Sequence, residues 1–129
     1  MKNEIKIENS KASITVSNFK CVEDAYPGDP KIHVSFDVCF ESHEYKFSTN
    51  FSEMVFCQFD FKKGINQIVD EMLQEKRLVI DKDKITLQVE QDPDELSDMQ
   101  LRFTLKADPD KIDDFKIELN AYVDYLLKG

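Results

Sequence analysis

The chain predicts an α+β fold: a strongly twisted antiparallel sheet of about seven strands with two helices packed on one face. Three observations carry this. Ile32, Val34, Phe36, Val38 and Phe40 alternate strictly with polar residues, as a strand with one buried face requires. Phe61, Ile65, Ile68, Val69, Met72 and Leu73 recur at i, i+3, i+4 spacing, the period of an amphipathic helix. Asp108-Pro109, followed by a second helical stripe, marks a C-terminal helix with its start signal in place.

Taken in order, Ile5 and Ile7, then Ile14 and Val16, form two short alternating stretches divided by Asn9-Ser10-Lys11, which reads as a hairpin. Residues 23–30 hold two of the four prolines, one of the three glycines and the acids Glu23, Asp24 and Asp29, the composition of a surface loop. In the next strand Lys31, His33, Ser35, Asp37, Cys39 and Glu41 share the face opposite the apolar one. After a turn at 41–44, Tyr45, Phe47, Thr49 and Phe51 repeat the period and complete a second hairpin. The helical stretch that follows has Ser52 as a candidate N-cap and runs to Lys76, with Gly64 weakening its middle.

Three strands are then expected, around 78–80, 85–89 and 99–105, joined by Asp81-Lys82-Asp83-Lys84 and by an acidic tip at 91–95. The closing helix has Asp108 as N-cap, Pro109 in the first helical position, and Asp110, Asp113 and Asp114 near the positive end of its dipole. Ile112, Phe115, Leu119, Tyr122, Val123 and Leu126 form its buried stripe. No linker or repeat divides the chain, so residues 1–129 are expected to fold as a single domain.

Composition limits the function classes. With 129 residues, 41% apolar, ten Phe and only three Gly, the chain can build a core without disulfides or a structural metal. Its longest apolar runs fall far short of the roughly 20 residues that span a bilayer, and its alternating N-terminal residues lack the apolar core of a signal peptide. A cytoplasmic protein is the expectation. Seventeen basic against 26 acidic residues give a net charge of -9, which repels phosphate backbones and anionic lipid surfaces; direct nucleic-acid or membrane binding is not expected.

The residues with chemical potential do not assemble into a reaction centre. Cys21, Cys39 and Cys57 are odd in number and 18 residues apart, which suits neither a disulfide framework nor a CxxC pair. Cys39 shares a strand face with His33 and Asp37, but six strand residues span roughly 20 Å, so within the strand only His43 across the hairpin stays open as a proton acceptor. Two histidines and scattered cysteines give no zinc spacing, and the acids of 92–98 lack the order of an EF-hand. Without a GxGxxG or GxxxxGK[ST] pattern, nucleotide cofactors are not expected either. No enzyme, metal or cofactor is anticipated.

What remains is charge and aromatic surface. Glu90, Asp92, Asp94, Glu95 and Asp98 gather in one hairpin tip, and Glu23, Asp24 and Asp29 in the Pro/Gly loop, offering a phosphate-like surface to a basic protein. The phenylalanines around Phe51, Phe56, Phe59 and Phe61 offer the alternative, a cavity between sheet and helices that holds a small hydrophobic ligand.

The order of elements, a paired sheet, an acidic Pro/Gly loop before an alternating strand, an amphipathic helix, three further strands and a helix opened by Asp108 with its Ile112, Phe115, Leu119 stripe, resembles the immunity proteins paired with bacterial wall-associated polymorphic toxins. Where that family tends to carry a tryptophan entering the strand after the loop, this chain has Lys31-Ile32. The resemblance implies a cytoplasmic, non-catalytic inhibitor of a cognate toxin and carries no catalytic residues over. The sequence leaves the partner's identity and the oligomeric state open.

Overall fold

A computed structural model describes residues 4–22, 33–51, 56–60, 65–70, 75–91 and 99–128. Their order is β1 (Glu4–Glu8), β2 (Ala12–Val22), β3 (His33–Ser42), β4 (Lys46–Phe51), β5 (Phe56–Asp60), β6 (Ile65–Asp70), β7 (Glu75–Ile80), β8 (Lys84–Gln91), β9 (Met99–Lys106) and α1 (Pro109–Lys128). The strands form two antiparallel meanders, β1-β2-β3-β4 and β5-β6-β7-β8-β9. The α+β class is as the sequence predicts.

All seven expected strands are present, but in two sheets rather than one, and two further strands, β5 and β6, lie beside them. The second corrects the sequence reading: residues 65–70 and 75–76, taken for the body and end of a first helix, are β6 and the start of β7, so the described residues hold one helix and not two. The reason is that Ile65, Ile68 and Val69 are β-branched, stiff at χ1 and well suited to a pleated surface, and a run this short fits both periods. Strand pairing decides: Ile68 is fully buried, opposite Cys57 of β5 and Leu78 of β7. Phe61, Met72, Leu73 and Ser52, the other residues of that expected helix, lie outside the described residues, as do residues 23–30, expected as a loop, and Lys31 and Ile32, expected at the start of the next strand.

Local chemistry fixes the turns. Asn9 closes the β1-β2 hairpin by accepting from the backbone N–H groups of Lys11 (2.8 Å) and Ala12 (2.9 Å) on its Oδ1, an Asx-type turn. Its Nδ2 donates to the Lys106 carbonyl of β9 at 2.8 Å and so ties the first sheet to the second. A matching tie lies at β4, where Lys76 Nζ of β7 donates to the Asn50 carbonyl at 2.7 Å.

The inner faces of both sheets and the buried stripe of α1 share one core. Phe36, Val38 and Phe40 of β3 point into it, as do Ile85 and Leu87 of β8. Between the sheets, Phe103 of β9 stacks on Phe40 and Phe47 with ring centroids 4.9 and 5.1 Å apart. The helix begins as its signals dictate: the Asp108 carbonyl accepts the first helical bond, from Ile112 N–H, directly before Pro109. It lies against β1 and β2, burying Ile112, Phe115 and Leu119; the side chains of Tyr122, Val123 and Leu126 are outside the description.

Candidate functional site

The outer face of the first sheet is built from the residues that alternate with the core: Thr15 and Ser17 of β2, Asp37 and Cys39 of β3, Ser48 and Asn50 of β4. Because most of these side chains are short, the face sinks into an open groove of about 500 Å³, with Glu4 and Lys46 also lining it. Asp37 is half-buried there.

A β-bulge in β2 shapes this face. Ser17 pairs with Asp37 and Lys20 with Ser35, so Asn18 and Phe19 together face the single residue Phe36. Asn18 adopts φ 56°, the left-handed region that asparagine tolerates better than most non-glycine residues. The bulge lets two neighbours point to opposite ends of the same need. Phe19 turns inward and stacks on Phe36 at 5.6 Å, while Asn18 turns outward and its Nδ2 donates to Asp37 Oδ2 at 2.7 Å. From the other side Asn50 Nδ2 donates to Asp37 Oδ1, also at 2.7 Å, and lies 3.2 Å from the Phe36 carbonyl. One carboxylate is thus oriented by an amide on each oxygen.

Sequence reasoning met Asp37 only as a neighbour of Cys39 and did not single out Asn18 or Asn50. A signal was present. The apolar positions of β2 run Ile14, Val16, Phe19, a step of three where a flat strand steps by two, with an asparagine at the slip.

Of the expected partner-binding acids, Glu90 is described and the rest are not. Glu90 lies on the outer side of β8 in the second sheet, half-buried, and its Oε1 accepts from Gln88 Nε2 at 2.8 Å and Gln100 Nε2 at 3.5 Å. Glu23, Asp24, Asp29, Asp92, Asp94, Glu95 and Asp98 lie outside the described residues. Glu90 therefore faces away from the groove, on the far side of the molecule.

Cys39 is a half-buried free thiol opposite Thr15 on one side and Ser48 on the other. His43 is exposed in the β3-β4 turn, beyond Ser42, whose Cα lies roughly 10 Å along the strand from that of Cys39. The side chains of Cys21, Cys57 and His33 are outside the description. Replacing Cys39 by serine, which conserves size and fits a face already lined with hydroxyls, is expected to change stability by less than about 0.5 kcal/mol and to leave partner binding intact. Denaturant titration together with a binding isotherm checks this; loss of binding in a well-folded variant would mean that the thiol has a chemical role.

Among the described residues no three His, Cys, Asp or Glu side chains are grouped to hold a metal ion, and no helix is long and apolar enough to cross a membrane. Comparison with known proteins adds no assignment: no family model matches the chain, and no curated protein and no solved structure does so.

Proposed function

We propose that this is a non-catalytic, acidic protein-binding domain that acts as an inhibitor of a basic protein, in the manner of an immunity protein facing a toxin or another nucleic-acid-handling enzyme. The observation that carries the reading is the uneven placement of charge. Along β1 and the exposed side of α1, Glu4, Glu8, Asp110, Asp113, Asp114 and Glu118 outnumber the lysines between them, and β1 borders the groove. The cations Lys84, Arg102 and Lys106 instead occupy the outer side of β8 and β9, on the opposite sheet. A dipolar distribution of this kind steers a basic partner to one side of the molecule.

Of the element order that resembles immunity proteins, the helix that follows Asp108 is present, while β6 and the start of β7 stand where the middle helix was expected. The ligand-binding alternative draws no support from the described residues: Phe51 is fully buried and stacks on Phe36 at 5.1 Å, and the side chains of Phe56, Phe59 and Phe61 lie outside the description.

Partner capture from the native host, followed by association kinetics, tests the proposal. Neutralising Glu4, Glu8, Asp113 and Glu118 along β1 and α1, or Glu23, Asp24, Asp29, Glu90, Asp92, Asp94, Glu95 and Asp98 together, to the corresponding amides should leave folding stability within about 1 kcal/mol. The association rate should fall by about tenfold at low salt, and the difference should shrink as salt shortens the Debye length from roughly 30 Å at 0.01 M to 8 Å at 0.15 M. A rate indifferent to both substitutions and to ionic strength would reduce the acidity to a solubility feature.

A further inference from the structure

We propose that β1 pairs antiparallel with β1 of a second copy of this chain across a two-fold axis, with Lys6 of each copy opposite Glu8 of the other. The inference goes beyond the reading above and stands on different observations.

The hairpin ladder sets which way the backbone of β1 points. Asn9 N–H donates to the Ala12 carbonyl at 3.0 Å, and hydrogen-bonded pairs alternate with non-hydrogen-bonded ones along an antiparallel ladder. Ile7 and Ile5 therefore exchange bonds with Ile14 and Val16 of β2, while Glu4, Lys6 and Glu8 turn their N–H and C=O groups to the other side. The Glu8 carbonyl bears this out, because Lys111 Nζ of α1 approaches it at 3.5 Å. Among the described residues no strand pairs with that side of β1. Beside it lies an open groove of about 270 Å³, bordered by Lys6, Ile7 and Glu8 on the strand and by Asp114, Phe115 and Glu118 on α1. A further strand has room to enter there.

The side chains select the occupant. Along Glu4-Ile5-Lys6-Ile7-Glu8 the exposed charges alternate in sign, and Ile5 and Ile7 hold the core face. Set against itself with Lys6 opposite Lys6, the strand would also bring Glu4 opposite Glu8, and like charges directly opposite are unfavourable. A register centred on Ile7 reverses this. Lys6 then faces Glu8 of the other copy twice, their outward N–H and C=O groups exchange hydrogen bonds, and the two Ile7 residues form the non-hydrogen-bonded pair between them. Within one copy Lys6 Nζ already lies 3.7 Å from Glu8 Oε2, with both side chains exposed, so pairing joins two ion pairs into one network. Lys111 is no obstacle, because the Glu8 carbonyl has two lone pairs and can accept from it and from the second strand together. The interface is isologous and closes on itself as a dimer. A single strand pair buries less than the roughly 1,200 Å² of stable complexes, so a dissociation constant on the order of 100 μM is expected.

Sedimentation equilibrium and amide hydrogen exchange test the pairing at 0.15 M salt, where a Debye length of roughly 8 Å screens the mutual repulsion of two chains of net charge -9. Between about 10 μM and about 1 mM the chain should pass from monomer to dimer. Over the same range the Lys6 and Glu8 amides should gain protection, while those of Ile5 and Ile7, already bonded to β2, should change little. Lys6→Glu and Glu8→Lys should each weaken self-association roughly tenfold, because each places like charges opposite one another twice. An equimolar mixture of the two variants restores opposite charges at both positions and should associate within about threefold of the unaltered chain. Lys82→Glu, in the β7-β8 turn, makes the same charge change away from β1 and should alter association by less than about twofold.

Lys6→Pro removes an outward N–H and leaves the bonds to β2 intact, as proline on an edge position does; it should stay folded and remain monomeric. A monomer at every concentration, a dimer whose Lys6 and Glu8 amides stay unprotected, or charge variants that fail to recover in the mixture would each overturn the pairing. Recovery of Lys6→Glu by Glu4→Lys in place of Glu8→Lys would overturn the register.

Discussion

Truncating Phe36 to alanine is expected to cost about 3 to 5 kcal/mol of folding stability, against a total of roughly 5 to 15 kcal/mol for a domain of this kind. Phe36 is 1% exposed at the centre of the first sheet, and it is stacked between Phe19 and Phe51 at 5.6 and 5.1 Å. Removing the ring deletes its transfer free energy and leaves a void that rings held on separate strands cannot collapse into. It also removes the surface on which Phe19 packs, and with it the reason for the bulge at Asn18. The comparator is Ser48→Ala, an exposed position on the outer face of β4, expected to stay within about 0.5 kcal/mol. Urea titrations would show a lower midpoint for Phe36→Ala at an unchanged slope. Equal midpoints for the two variants would mean that the register of β3 is wrong by one residue, which would exchange its faces.

How much of the fold could be read from sequence follows from where one signal spoke without a rival. In β3 the period of two runs unbroken from His33 to Phe40, and from Ser35 to Phe40, where side chains are described, the buried faces came out as expected. At α1 the aspartate, the proline and the apolar stripe agree, so both the start and the buried side of the helix were legible. Residues 65–70 carry two periods at once. Ile65, Ile68 and Val69 suit a helix by spacing and a strand by side-chain shape, and the choice is made by β5 and β7, partners whose pairing no local pattern reveals. The division into two sheets is likewise a long-range fact: it depends on Phe40 and Phe47 meeting Phe103, some sixty residues away.

The candidate site was less legible than the fold, for a related reason. Charge clusters stand out in a sequence because they are contiguous, and the acids at 23–29 and 90–98 drew attention on that ground. The groove is assembled from four strands, one residue from β1, two each from β2 and β3 and four from β4, and most are of ordinary type, serine, threonine, cysteine or asparagine. Only register brings Asn18, Asp37 and Asn50 side by side. The broken step at Ile14, Val16, Phe19 was the single local mark of that arrangement.

The second large effect is expected at the helix. Phe115→Ala should cost about 3 to 4 kcal/mol, towards the lower end for a buried aromatic. The ring is 2% exposed between Ile112 and Leu119, and α1 lies mainly on β1, whose only strand neighbour among the described residues is β2. Its inner residues Ile5 and Ile7 belong to the same core as the helix stripe, so undocking α1 would uncover them together. The cost stays at the lower end because a groove of about 270 Å³ bordered by Lys6, Glu8, Asp114 and Phe115 reaches the site, and water can enter part of the space the ring leaves. Ile117→Ala on the opposite side of the same helix, 67% exposed, deletes a similar apolar group and should change stability by less than about 0.5 kcal/mol. Hydrogen exchange separates docking from global stability. In Phe115→Ala the amides of α1 and β1 should lose protection together while those of β8, an interior strand of the second sheet, keep most of theirs, as a sub-global opening predicts. Uniform loss over all strands would instead make the helix part of a single cooperative unit, and equal costs at Phe115 and Ile117 would refute the helix face assigned to the core.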